Sequence, residues 1–98
     1  MVALVRAAQR GEHRAWDALY ERHVRLVHGV LLARVPRDVV ADLVQDVFLQ
    51  AFRRARDVRD PAAFPAWLAA VARRRAADWR RRRRDTEELQ EDCPAVAA

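Results

Sequence analysis

Apolar residues recur at spacings of three and four along three long stretches of this chain, and no other feature constrains the fold as strongly. This spacing places side chains on one face of an α-helix, whereas a half-buried strand needs strict alternation. Only two glycines and four prolines interrupt the 98 residues, and the helix formers alanine, arginine, leucine and glutamate are abundant. The sequence therefore predicts an all-α protein.

Four helices are predicted, and the breaks between them fall at residues that disfavour helix. Gly11 suits a helix end, and Pro36 disfavours helical geometry in the residue before it. Residues 56–62 (RDVRDPA) indicate a loop before the last helix. The predicted helices cover residues 2–9, 12–34, a third stretch from Pro36 or Arg37 to about Arg54, and 63–84.

One shared core is expected to hold these helices in a compact bundle of three long helices and one short N-terminal helix. Aromatic residues on the apolar faces are predicted to lie in that core; they are Trp16, Tyr20, Phe48, Phe52 and Trp67. Trp79 either caps the core or stacks on a nucleic-acid base. Residues 1–84 are predicted to form the domain, and residues 85–98 a frayed acidic tail or the start of an interdomain linker.

The net charge of the chain changes sign at the predicted end of the domain, between residues 84 and 85. Residues 1–84 hold all 19 arginines and nine acidic residues, a net charge of +10, whereas residues 85–98 hold five acidic residues and no base. A basic body of this kind favours a polyanionic partner, most often nucleic acid. Residues 73–84 contain eight arginines, whose mutual repulsion phosphates would relieve. The alternative interpretation is a solvated basic helix end.

Several classes of function find no support in the sequence. There is no serine, a single threonine (Thr86) and no glycine-rich phosphate loop, so enzymatic activity is not expected. His13, His23 and His28 lack the spacing of a zinc-binding pair, and the single cysteine, Cys93, excludes a multi-cysteine metal site. We therefore expect neither a metal nor a cofactor.

Membrane insertion and secretion are not expected either. The longest run without a charged residue, positions 61–72, is too short to span a bilayer. The first residues do not place a basic segment ahead of an apolar one, as a secretory signal would. The expected location is the cytoplasm.

A patch on the predicted third helix points away from the apolar stripe. Asp42, Gln45, Asp46 and Leu49 follow spacings of three and four on a separate face. An acidic, partly apolar face on a basic domain is either ordinary solvated surface or a docking site for a basic partner helix.

Three stretches, in order, carry a resemblance to a known family. Residues 42–53 (DLVQDVFLQAFR) resemble a signature of bacterial sigma factors, most closely the extracytoplasmic-function (ECF) group of the sigma-70 family. Residues 15–23 (AWDALYERH) are similar to the opening of conserved region 2. Residues 58–68 (VRDPAAFPAWL), 71–74 (VARR) and 78–82 (DWRRR) are similar to its end. The resemblance covers residues 1 to about 84 and does not include the family's domain that reads the −35 element.

The resemblance implies a transcription initiation factor domain that binds core RNA polymerase and recognises and helps melt the promoter −10 element. In the family, the third helix docks on the clamp coiled coil of the largest subunits, which implies polymerase contacts for Asp42, Gln45, Asp46 and Leu49. The loop captures a flipped base of the non-template strand; here it contains Arg56, Val58, Arg59, Asp60, Pro61, Ala62 and Phe64. The last helix follows the DNA backbone, with Arg73, Arg74, Arg75, Asp78, Arg80 and Arg81 as the corresponding residues.

Two departures from the family pattern concern contacts. Arg74 stands where the family usually has asparagine, and arginine pairs with base edges in a different geometry and attracts phosphate more strongly. Asp46 stands where glutamate is usual. Two other functions stay open: a truncated sigma-like interaction protein that occupies polymerase or an anti-sigma factor, and a helical domain that binds nucleic acid unselectively.

Overall fold

The computed structural model describes the backbone of residues 1–91 and the side chains of residues 1–89. Over this part the chain forms four α-helices and no strand. The helices are α1 (Val2–Gln9), α2 (His13–Leu32), α3 (Arg37–Arg53) and α4 (Phe64–Glu91). Two 3₁₀ turns, Ala55–Asp57 and Pro61–Ala63, lie in the connection between α3 and α4. The all-α prediction is confirmed.

Glycine ends α1 as predicted. Gly11 adopts a φ of +90°, a left-handed conformation that side chains with a Cβ rarely adopt. The amide of Gly11 donates to the carbonyl of Ala8 at 2.9 Å, and the amide of Glu12 donates to the carbonyl of Ala7 at 3.1 Å. These two bonds form a Schellman motif, which satisfies the last carbonyls of the helix and turns the chain into α2.

One apolar core joins the elements, because α2 packs against each of the other three helices and α3 packs against α4. The largest fully buried side chains come from all four helices; among them are Val5, Leu19, Leu31, Val47, Phe64 and Leu68. His23 is also buried, and its Nδ1 donates to the carbonyl of Leu19 at 2.8 Å, since a carbonyl can only accept. Trp67 packs against this core, as predicted, and so does Trp79.

Two of the predicted core aromatics are in fact exposed at the surface. Tyr20 retains 40% and Phe52 41% of its accessible surface, so their assignment to the core is wrong. They lie at the edge of the contact between α2 and α3, beside a groove that stays open to solvent. Tyr20 packs on Phe48 with ring centroids 4.6 Å apart, and Phe52 packs on Trp16 at 5.2 Å and stacks on His13 at 6.4 Å.

The last helix continues beyond its predicted end. Fraying after Asp85 was expected, yet α4 runs to Glu91 without a break at the predicted domain boundary. Local bonds support the extension: Arg83 pairs with Glu87 at 3.3 Å, and the Thr86 hydroxyl donates to the carbonyl of Arg82 at 2.9 Å. Cys93 and Pro94 lie outside the described residues. None of the described helices is long and apolar enough to cross a membrane.

Candidate functional site

The acidic face of α3 is exposed on the side of the helix that turns away from the core. Asp42, Gln45, Asp46 and Leu49 are all exposed, and Leu49 retains 52% of its accessible surface. The buried side chains of α3, which include Leu43, Val47 and Ala51, occupy the opposite side. Helical spacing thus keeps the two sets apart, and the four predicted residues form one continuous surface.

An aromatic edge that the sequence did not reveal borders this acidic face. A shallow groove of about 490 Å³ lies between α2 and α3. It is lined by Trp16, Tyr20, Gln45, Phe48, Leu49 and Phe52. Exposed apolar side chains grouped in this way are typical of interaction surfaces. Periodicity could not identify the groove because Tyr20 and Phe52 follow the same spacing as buried residues.

The residues predicted to capture a base lie in the connection between α3 and α4 or at its end. Some of them are exposed to solvent and others are buried in the core. Arg56, Arg59, Asp60 and Ala62 are exposed, and Pro61 is half-buried. The Asp60 carboxylate accepts a hydrogen bond from the amide of Ala62 at 3.1 Å and so caps the second 3₁₀ turn. This connection therefore presents two arginine side chains and a carboxylate to solvent.

Val58 and Phe64 belong to the same predicted set, yet both are buried. Phe64 packs edge-to-face on His23 with ring centroids 5.1 Å apart and lies 6.5 Å from Trp16. In this conformation the two apolar side chains fasten the connection to the core, and the exposed residues between them are the ones able to touch a ligand.

The start of this connection is also tied to the end of α1. The side-chain amide of Gln9 donates to the carbonyls of Ala55 and Val58, at 3.0 and 2.9 Å. Arg56 Nε donates to the carbonyl of Gln9 at 3.3 Å. No sequence pattern signals these contacts, because they join residues 46 to 49 positions apart and carry no periodicity.

The arginines of α4 form an exposed basic face that extends from Arg73 to Arg84. Among the predicted residues, Arg73, Arg74, Arg80 and Arg81 are exposed, and Arg82, Arg83 and Arg84 extend the same positive region. Asp78 is half-buried and pairs with Arg81 at 2.6 Å. Trp79 lies beside this region and lines a groove with Arg80, Arg83 and Arg84.

Arg75 stands apart from the other arginines. Its Nη2 donates to Asp46 Oδ2 at 3.0 Å, and its side chain is only 19% exposed. Its second terminal nitrogen, Nη1, is buried and has no hydrogen-bond partner within the described part of the chain. A residue predicted to contact DNA is therefore turned toward α3, where it pairs with a residue predicted to contact polymerase.

Among the described residues, no group of three or more His, Cys, Asp or Glu side chains could hold an ion. Three surfaces carry the residues predicted to bind partners: the acidic face of α3, the α3–α4 connection and the basic face of α4.

Comparison with known proteins places the chain in a family. The family model Sigma-70 region 2 matches residues 19–86. The chain is 36% identical over 70 residues to the ECF RNA polymerase sigma-E factor of Haemophilus influenzae, which covers 71% of this chain and 37% of that protein. It is 33% identical over 69 residues to the factors of the same name from Escherichia coli and Salmonella typhi. The chain spans little more than a third of the length of these relatives. It therefore belongs to the sigma-70 family, as a region 2 domain of the ECF group.

Proposed function

We propose that this chain is the promoter-recognition domain of an initiation factor, which docks on core RNA polymerase through α3 and engages the −10 element through the α3–α4 connection and α4. The observation that carries the proposal is the separation of charge on one bundle. An acidic, partly apolar face lies on α3, and a basic face lies on α4. Sigma factors do not catalyse a reaction, so the proposal concerns binding surfaces alone.

The α3 face fits a helical partner that carries basic residues. Asp42 and Asp46 can pair with arginine or lysine, and Leu49 supplies apolar contact beside the aromatic groove. Charge complementarity speeds encounter and selects the partner, while buried apolar and aromatic side chains supply most of the affinity. The exposed Leu49 and Phe52 are therefore expected to contribute more to affinity than either carboxylate.

The α3–α4 connection suits an unpaired base. A base that has left the stack is read along its hydrogen-bonding edge, which requires polar groups in a pocket or an irregular segment. Arg59 and Asp60 are adjacent and exposed, and they offer donors and acceptors side by side. Trapping unpaired bases in this way favours the melted state of the promoter without a chemical step.

The α3–α4 connection and the run of arginines that begins at Arg80 lie apart along α4. Sixteen residues separate Phe64 from Arg80, which is about 24 Å at 1.5 Å per residue. That distance corresponds to roughly seven steps of duplex DNA at 3.4 Å each. A nucleic acid lying along α4 could therefore present an unpaired segment at the connection and backbone phosphates at the arginines.

The test is binding to purified core RNA polymerase, with one charge reversed on the α3 face. Asp42 is the better site than Asp46, because Asp46 also pairs with Arg75. Asp42→Arg is expected to weaken binding at least about tenfold, or 1.4 kcal/mol, since like charges then face each other. Glu21→Arg is the matched control, because Glu21 is an exposed carboxylate on α2 outside the acidic face.

Equal affinity for the wild type and Asp42→Arg would contradict the docking face. No binding by the wild type at near-physiological salt would leave the arginines of α4 as the main functional feature. Unselective nucleic-acid binding would then be the better function, recognisable by an affinity that falls steeply with salt and ignores sequence.

A further inference from the structure

Gln9 bridges two carbonyl groups at the start of the α3–α4 connection. Its Nε2 lies 3.0 Å from the oxygen of Ala55 and 2.9 Å from that of Val58, so each amide hydrogen has its own acceptor. Ala55 and Val58 are buried, whereas Arg56 and Asp57 between them are exposed. The amide therefore fixes both ends of a four-residue arch whose outer side chains face solvent.

The arch also binds back to α1. Arg56 Nε donates to the backbone carbonyl of Gln9 at 3.3 Å. Gln9 itself is the last residue of α1, and the Schellman motif at Gly11 fixes the backbone on its far side. Three hydrogen bonds thus connect one residue of α1 with residues 55–58.

Only a side chain with two donors can make the bridge. Glutamine has two N–H groups, whereas glutamate at neutral pH presents acceptors alone and methionine presents no donor. α1 also lies outside the segment matched by the family model, which begins at residue 19, while the arch lies inside it. The support for the connection therefore comes from a part of the chain that the family match does not include.

We propose that Gln9 is a positioning residue for base recognition. By holding residues 55–58, it sets the start of the connection whose exposed Arg59 and Asp60 would read an unpaired base. The inference rests on the proposed function. Recognition groups must be held closely to a productive geometry by the residues behind them, so loss of the bridge should reduce discrimination between bases more than total affinity.

The first measurement is amide hydrogen exchange in the wild type and in Gln9→Met, which keeps the length of the side chain and removes both donors. The amides of Asp57 and Val58, which donate to Arg54 and Ala55, are expected to exchange about tenfold faster. Amides in the core segment of α4, around Leu68, should keep their protection. Gln50→Met is the matched control, since Gln50 is an exposed glutamine on α3.

The second measurement uses a pool of single-stranded DNA with a central randomised hexamer. Bound strands are sequenced for base enrichment, and the affinity of the whole pool is measured by fluorescence anisotropy. Gln9→Met is expected to lower the enrichment ratio at least about fivefold and to change the pool affinity by less than about twofold, because the α4 arginines are untouched.

A second pair of variants covers the case in which Gln9→Met does not fold. Gln9→Lys retains hydrogen-bond donors and should keep most of the discrimination, whereas Gln9→Glu lacks donors and should lose it. Unchanged enrichment in Gln9→Met or Gln9→Glu would overturn the inference, even if exchange became faster. If the wild type enriches no base, that result contradicts the proposed function itself. If hydrogen exchange is unchanged in Gln9→Met, that result separately refutes the role of Gln9 in ordering the arch.

Discussion

The two halves of α4 are held in place by different forces. From Phe64 to Ala76 the helix buries one side completely, including Phe64, Leu68, Ala72 and Ala76. From Arg80 to Leu89 every side chain is exposed. The helix continues across both halves, but only the first half is part of the core.

The second half depends on local interactions. Its ion pairs, Arg81 with Asp78 and Arg83 with Glu87, are three and four residues apart and lie at the surface. Such pairs stabilise a helix by about 0.2–0.5 kcal/mol each. Tertiary packing therefore fixes the first half as a scaffold, while the second half presents charge and is expected to melt without unfolding of the whole domain.

The largest difference in stability is expected between two leucine-to-alanine substitutions, one in each half of α4. Leu68 is fully buried, and Leu68→Ala should lower the free energy of unfolding by about 2–5 kcal/mol, because it leaves a cavity in the core. Leu89 is 65% exposed, and Leu89→Ala should change it by less than about 0.5 kcal/mol. Urea denaturation followed by circular dichroism measures both. Comparable losses would show that the second half also packs on the core.

A proline placed in the second half of α4 tests directly whether that half can unfold independently of the first. Arg82→Pro removes a backbone donor and clashes with the preceding turn, so the helix should end before residue 82. Far-ultraviolet circular dichroism should lose the signal of roughly ten helical residues, while the free energy of unfolding falls by less than about 1 kcal/mol. Arg82→Ala is the control that removes the charge alone. A loss of stability as large as that of Leu68→Ala would contradict the division of α4.

The salt dependence of DNA binding distinguishes two exposed arginines of the second half from Arg75 in the first half. Arg80 and Arg84 are exposed in the second half, whereas Arg75 in the first half pairs with Asp46. Alanine at both exposed positions should reduce the magnitude of the negative slope of log affinity against log salt by up to about 1.8 on duplex DNA. Arg75→Ala should reduce the magnitude of that slope by less than half as much per arginine removed. Equal changes per arginine would show that Arg75 leaves Asp46 to bind phosphate.

The smallest effect concerns the ion pair between α3 and α4. A double-mutant cycle with Asp46→Ala and Arg75→Ala should give a coupling free energy of about 0.2–1 kcal/mol in unfolding, since the Asp46 side chain is 47% exposed. Asp46→Ala should cost more stability than Glu87→Ala, because it deprives a largely buried guanidinium of its carboxylate. Similar costs for the two substitutions would place Arg75 in solvent.

Periodicity predicted the helices because burial imposes it. The bounds of α1 and α3 agree with the prediction to within one residue, and the exposed face of α3 was identified from spacing alone. The same reasoning failed at Tyr20 and Phe52, since a helix pattern reports which side is apolar and not whether another helix covers it. It also ended α4 too early, because local ion pairs and helix propensity extend a helix without any apolar signal.

The sequence by itself determined the all-α class and the separation of acidic and basic faces, since these follow from residue type and spacing along the chain. Its motifs also resembled the family that the comparisons confirm. Only the tertiary structure decided which charged residues are free and what supports the α3–α4 connection. Arg75 and Asp46 are 29 positions apart, and Gln9 and Val58 are 49 positions apart. Contacts at such separations depend on how whole helices pack against one another, and no local pattern records that packing.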